Sequence, residues 1–226
     1  QEVDYRRMYG QMAKWVAQVD SAARLPEYLA RAVQTATSGR QGPVVLALPE
    51  DMLESQVEVA DAQCHQPVHA SPSDLQVATF RRALGQATRP LIILGGTGWN
   101  RPACENVRRF AEANMLPVAC AFRHQDLFDN RHPNYVGDVG IGINPRLAQR
   151  VKDADLLIVL GARLGEVTTS GYSLIDTPRP KQALIHVHSS VDELGRVYQP
   201  ALAIASGMSQ ITARLAKMMP IENPQW

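Results

Sequence analysis

The sequence predicts an α/β protein, built on a doubly wound six-stranded parallel sheet and preceded by part of a second α/β unit. Three observations predict it. Short continuous apolar runs recur from residue 91 onward, stretches of helical apolar spacing fill the intervals, and Gly, Asn or Pro marks the joins. Strands buried on both faces read as unbroken apolar runs, and such alternation of strand and helix builds a parallel sheet covered by its own crossover helices.

Along residues 25–38, Leu25, Leu29, Val33 and Ala36 fall at helical spacing, with Pro26 suited to the first turn and Gly39 placed to end the helix. Gly42-Pro43 then opens Val44-Val45-Leu46-Ala47-Leu48, which Pro49 stops, as a strand buried on both faces would read. Residues 50–70 lose periodicity and are expected to form an extended linker across a domain boundary. The division expected is 1–51 as the end of one domain, 52–70 as linker, 71–219 as a complete second domain and 220–226 as a further linker.

The second domain is expected to open at Ser71-Pro72-Ser73-Asp74, where Ser71 and Asp74 have the spacing of a capping box. Val77, Phe80, Leu84 and Ala87 then form the buried stripe of its first helix. Strands are predicted at 91–94, 117–121, 135–136, 156–160, 183–187 and 201–205. Helices are predicted at 102–114, at 145–154, near 192–198 and around Ile211, Leu215 and Met218. The natural strand order for six such strands is 3-2-1-4-5-6, a Rossmann-like sheet whose ligands lie beyond the strand carboxyl ends, where the order reverses.

Two turns flank that crevice. Gly95-Gly96-Thr97-Gly98-Trp99-Asn100 follows the first strand, with Asn100 as the cap of the next helix. Gly95, Gly96 and Gly98 are candidates for holding a phosphate on backbone amides at a helix start, although the third Gly of G-x-G-x-x-G is Arg101. A turn that needs glycines only for tightness is the competing explanation. Gly161-Ala162-Arg163-Leu164-Gly165-Glu166 follows the fourth strand, and Arg163 is placed either to meet phosphate or to pair with Glu166. Residues 137–142 are read as a flexible stretch lining the same crevice, ahead of Asn144 as a helix cap.

Composition narrows the function classes. Twenty-three Lys+Arg against 22 Asp+Glu leave a formal net charge of +1, with no electrostatic footprint for nucleic acid or anionic membrane. No run approaches the roughly 18 apolar residues of a membrane span. The isolated Cys64, Cys104 and Cys120 suggest neither a disulfide framework nor a thiolate metal site, and a cytoplasmic location is expected. His186 and His188 share a strand face, while His124, Asp126 and His132 crowd one loop; neither set completes a ligand shell, so no metal site is expected. There is no G-x-S-x-G elbow, and no catalytic residue is assigned within this chain.

Specific phrases resemble thiamine-diphosphate enzymes of the acetohydroxyacid (acetolactate) synthase-like group. They are Gln1-Glu2, Lys14-Trp15, Arg31-Ala32 and the run from Gly42 to Asp51, which reads G-P-V-x-L-x-x-P-x-D and is similar to the end of the pyrimidine-binding domain. Arg89-Pro90, Ala154-Asp155, Gly161-Ala162-Arg163, Ile185-His186-Val187-His188 and Glu193-Leu194-Gly195-Arg196 resemble the central domain. The resemblance implies thiamine diphosphate and Mg2+ in a longer parent, a small 2-oxo acid substrate, and a homodimer or tetramer. It implies that this stretch is inactive alone. Gln1 and Lys14 match positions lining the substrate channel, and Arg163 matches a nucleotide-site arginine. FAD or ADP is the ligand the family's central domain would take, with His188 as a further candidate at that site. The chain departs from the synthases at Gly165-Glu166-Val167, where they carry two acidic residues and an arginine. It departs again at Val187-His188-Ser189-Ser190, where Val-Asp-x-Asp is frequent. Gly137-Asp138-Val139 lacks the last Gly of the family's Gly-Asp-Gly diphosphate phrase.

Overall fold

The six apolar runs after residue 90 become the six strands of one sheet. In the computed structural model, which describes residues 3–222, 224 and 226, the chain divides into units 1–68 and 69–226.

The first unit contains α1 (Tyr5–Tyr9), β1 (Trp15–Gln18), α2 (Leu25–Thr37), β2 (Val44–Ala47) and the single turn α3 (Glu50–Leu53). β1 and β2 pair in parallel, with Val16 opposite Val45. Trp15-Val16-Ala17-Gln18 lacks the Gly-Pro opening and the Pro stop that mark β2, a strand of equal length, so β1 is not legible as a strand. Its neighbourhood explains two of the family phrases at once: the Arg31 guanidinium lies 4.3 Å above the Trp15 ring, which stacks on Tyr28 at 5.8 Å. One expectation is corrected. Every residue of β2 is only half-buried, because its single partner strand is β1. On α2, Leu29 and Val33 are 49% and 46% exposed, facing an open apolar groove of roughly 510 Å3 shared with Met52, Leu53 and Val57.

In the second unit, α4 (Asp74–Gln86) begins at Ser73 rather than Ser71. The Ser73 hydroxyl accepts from the Gln76 N–H at 3.2 Å, and Gln76 Oε1 accepts from the Ser73 N–H at 2.9 Å. The S-x-x-Q box thus prevails over S-x-x-D, leaving Asp74 in the first turn, where its charge suits the helix dipole. β3 (Pro90–Leu94), α5 (Arg101–Ala113), β4 (Val118–Ala121), β5 (Tyr135–Val139), α6 (Pro145–Asp153), β6 (Leu156–Leu160), β7 (Ala183–His188), β8 (Leu202–Ala205) and α7 (Met208–Leu215) follow. The sheet runs β5-β4-β3-β6-β7-β8, parallel throughout. This is the predicted 3-2-1-4-5-6 order, with its reversal between β3 and β6.

Alternate residues of the central strands feed two cores. Ile92, Leu94, Ile158 and Leu160 meet Phe80, Phe110 and Ile211 on one face. Leu91, Ile93, Leu157 and Val159 meet Leu147 and Val151 of α6 on the other. All ten residues of β3 and β6 are buried. At the amino ends of these strands the Asp155 carboxylate accepts from Thr88 N–H (2.6 Å), Thr88 Oγ1–H (2.7 Å) and Arg89 N–H (2.9 Å). The phrases Arg89-Pro90 and Ala154-Asp155, read separately in the sequence, are therefore two halves of one clasp that sets the register of β3 on β6. Burial alone would raise the Asp155 pKa, but the donated hydrogen bonds outweigh it and hold the carboxyl below its ordinary range.

Two further expectations are corrected. The helix expected near 192–198 is a single 3-10 turn, Val191–Glu193; it stops before Gly195, whose φ is +80°. The stretch read as flexible from residue 137 begins inside β5, where Asp138 stands in register with Cys120.

Candidate functional site

Beyond the carboxyl ends of β3 and β6, the two predicted turns lie against each other. Gly95 N–H donates to Leu160 O at 3.1 Å and Gly161 N–H to Val187 O at 2.9 Å. A Cβ on Gly96 would stand 1.9 Å from the Gly161 oxygen, and one on Gly161 would stand 2.5 Å from the Gly95 oxygen. Both glycines have φ of +74°. Close approach of two backbones thus accounts for this pair without a ligand. Gly95 is buried, and its carbonyl accepts from the Trp99 indole at 2.8 Å. Gly98 is exposed, with open space around it. Asn100 caps α5 as expected, its Oδ1 accepting from Ala103 N–H at 2.9 Å, and Asn144 caps α6.

A cavity of roughly 400 Å3 opens over these turns. Gly96, Arg123, His124, Arg163, Glu166 and Tyr172 are among its lining residues. A smaller one of roughly 90 Å3, bordered by Arg163, His186, Glu193 and Arg196, adjoins it. Arg163 faces both. Of its two expected placements, the pairing with Glu166 is not the one found: Arg163 Nε lies 3.5 Å from Glu193 Oε2, and Arg196 Nη1 lies 3.2 Å from Glu193 Oε1. The Glu193 side chain is only 4% exposed whereas Arg163 is 53% exposed, so a buried carboxylate anchors a guanidinium whose outer edge remains in the crevice. Glu193 sits far from Arg163 in sequence and carried no motif signal beyond its family phrase.

His186 is buried on β7, its Nε2 2.9 Å from the Ala162 carbonyl oxygen. Burial pushes its pKa down, so the ring is neutral and Nε2–H donates. His188, the other histidine of that face, is buried and accepts on Nδ1 from the Ser190 N–H at 3.0 Å; it lines neither cavity. His124, first noticed as part of a loop cluster, belongs to the crevice wall instead, with a buried Nδ1 that has no hydrogen-bond partner among the described residues.

The substrate-channel candidates lie in the first unit. Lys14 donates from Nζ to Ser38 O at 2.7 Å, and its backbone N–H donates to Pro43 O, so it closes the approach to β2 within its own unit. Gln1 lies outside the described residues.

The crevice chemistry suits a nucleotide-sized anion through the exposed edge of Arg163, since pockets of a few hundred Å3 take such ligands; Gly98 does not line it. The residues do not fit the diphosphate–Mg2+ site that the resemblance describes. Asp138 is committed to the sheet, and among the described residues no three His, Cys, Asp or Glu side chains are grouped to hold a metal ion. No helix among them is long and apolar enough to cross a membrane.

Residues 77–215 match the family model described as thiamine pyrophosphate enzyme, central domain. The chain belongs to this family. The central domain is therefore the sheet just described, and the match covers all six strands and the crevice. The chain is 27% identical over 220 residues to the acetolactate synthase large subunit of Corynebacterium glutamicum, covering 95% of this chain and 34% of that protein. It is 28% identical over 221 residues to the acetolactate synthase isozyme 1 large subunit of Escherichia coli, covering 97% and 38%. It is 27% identical over 218 residues to the sulfoacetaldehyde acetyltransferase of Castellaniella defragrans, covering 96% and 36%. The chain thus spans little more than a third of the length of these relatives. The crystal structure of benzoylformate decarboxylase from Polynucleobacter necessarius shares the fold with a TM-score of 0.77 at 22% identity, covering 98% of this chain and 41% of that one.

Proposed function

We propose that these residues are part of a thiamine-diphosphate-dependent transferase or lyase acting on a small 2-oxo acid by carboligation or decarboxylation. The family membership of residues 77–215 carries this reading, and the likeness to acetolactate synthases over nearly the whole chain supports it. Residues 1–51 are read as the end of the pyrimidine-binding domain, with Lys14 and Gln1 near the substrate channel of a dimeric or tetrameric parent. Thiamine diphosphate would supply the electron sink for the carbanion. The contribution of this chain is to hold flanking domains in place, and by itself it is inactive. In the test, the 226-residue chain and the parent reading frame are assayed for CO2 release from 2-oxo acids with thiamine diphosphate and Mg2+. Turnover by the parent alone is expected; silence of the parent across a panel of 2-oxo acids, or enzyme-like turnover by the short chain, overturns the proposal.

A second reading concerns the crevice. The two turns pack on each other without a ligand and Glu193 already holds Arg163, which favours a scaffolding role over FAD binding. ADP remains the chemically suited guest. Calorimetry with FAD and ADP on the chain and on Arg163→Ala separates the two: micromolar binding lost in the variant establishes a nucleotide site in the crevice, and the absence of any binding that depends on Arg163 establishes a scaffold.

A further inference from the structure

The amino-terminal end of the same sheet carries a second concave site. A pocket of roughly 360 Å3 is lined by Thr88 and Arg89 ahead of β3, by Arg146, Gln149, Arg150 and Asp153 of α6, and by Trp226. Because the sheet is parallel, this end is opposite to the crevice.

Cationic groups outnumber acidic ones in the pocket lining, three guanidiniums to the Asp153 carboxylate. None of Arg89, Arg146 or Arg150 has a carboxylate within ion-pair distance among the described residues. The nearby carboxylates are otherwise engaged. Asp155 accepts from Thr88 and Arg89 N–H, and Asp153 accepts from Gln149 Nε2 at 2.9 Å. Arg146 and Arg150 are four residues apart on α6 and so share a helix face.

The wall opposite is a held aromatic ring. Trp226 donates from Nε1 to Asn114 O at 2.9 Å, and Asn114 Oδ1 accepts from Ile221 N–H at 2.9 Å. Asn114 is itself buried, and Ile221 and Trp226 pack against the core. A fixed indole beside planar cationic forks matches a flat ring joined to an anion with several acceptor oxygens.

We propose that this pocket binds an organic polyphosphate carrying a planar ring, with Arg89, Arg146 and Arg150 on the phosphates and Trp226 against the ring. It is a binding site distinct from the crevice, and it does not rest on the proposed reaction.

Calorimetry on the full 226-residue chain tests it, with ADP, inorganic pyrophosphate and adenosine as probes. ADP is expected to bind more tightly than pyrophosphate, and adenosine weakest. The double variant R146A/R150A should weaken ADP by about tenfold or more, whereas R101A, at a highly exposed arginine of α5 outside both sites, should leave it unchanged. Trp226→Ala should weaken ADP and spare pyrophosphate. Circular dichroism of each variant confirms that the fold persists, as surface changes on α6 should allow. The proposal is overturned if no probe binds, if R146A/R150A binds ADP like the parent chain, or if R101A weakens ADP equally. Equal affinity for ADP and pyrophosphate overturns the role given to Trp226.

Discussion

β2 and β3 are nearly alike in composition, Val-Val-Leu-Ala against Pro-Leu-Ile-Ile-Leu, yet they live in different surroundings. β3 has a strand on each side and a core on each face, and all its residues are buried. β2 has one partner strand, and all its residues are half-buried. The same contrast separates their helices: Phe80 and Leu84 of α4 are inaccessible, whereas Leu29 and Val33 of α2 remain about half exposed. An apolar run records a preference for burial, but the elements around it determine how much water is excluded.

Mutation can break or sharpen this comparison. The largest effect is expected for Ile158→Ala at the centre of β6, where a fully buried side chain leaves a cavity costing about 2–5 kcal/mol. Denaturant unfolding followed by circular dichroism measures it, and a loss under about 1 kcal/mol would contradict the packing described.

Gly96→Ala should come next, because the added methyl meets the Gly161 backbone at 1.9 Å and φ is +74°. The turns must separate, at a cost of roughly 2–3 kcal/mol. If the variant melts with the parent chain, the close approach is not what demands this glycine.

Asp155→Ala should cost about 1 kcal/mol at neutral pH, since it removes three hydrogen bonds to a carboxylate while the exposed donors of Thr88 and Arg89 can turn to water. The Asp155 pKa is lowered in the folded chain, so its stabilisation is fully present above the ordinary aspartate pKa. It is lost as pH falls through the lower, folded value. The gap between variant and parent chain should therefore be constant from neutral pH down to about 5 and close below about 4; a gap that persists unchanged at lower pH would assign the effect to packing.

The smallest effect is expected for Leu29→Ala, within about 0.5 kcal/mol, because its surface is already half in water. A cost rivalling Ile158→Ala would erase the distinction between the two units.

Much of the central domain was legible because its signals are local. The apolar runs, the caps at Asn100 and Asn144 and the alternation of elements each depend on residues within a few positions of one another, and together they predict the strand order through the rules of parallel sheets. The errors arose where two local signals competed or where a local signal was weak. Ser71 and Ser73 both offer a capping box, and reciprocal hydrogen bonding with Gln76 selects the second. Residues 192–198 look helical until Gly195 takes a left-handed φ. β1 has no Gly or Pro at its joins to announce it, unlike β2 of the same length.

By itself, the sequence determined the α/β class, the family and the positions of the two crevice turns, since periodicity and motif phrases are written in neighbouring residues. Only the tertiary structure decided what those residues touch. It joined Thr88 to Asp155, brought Glu193 under Arg163, set Gly96 on Gly161 and left α2 open to water. These contacts link residues distant along the chain, and their geometry follows from the packing of whole elements rather than from any local preference.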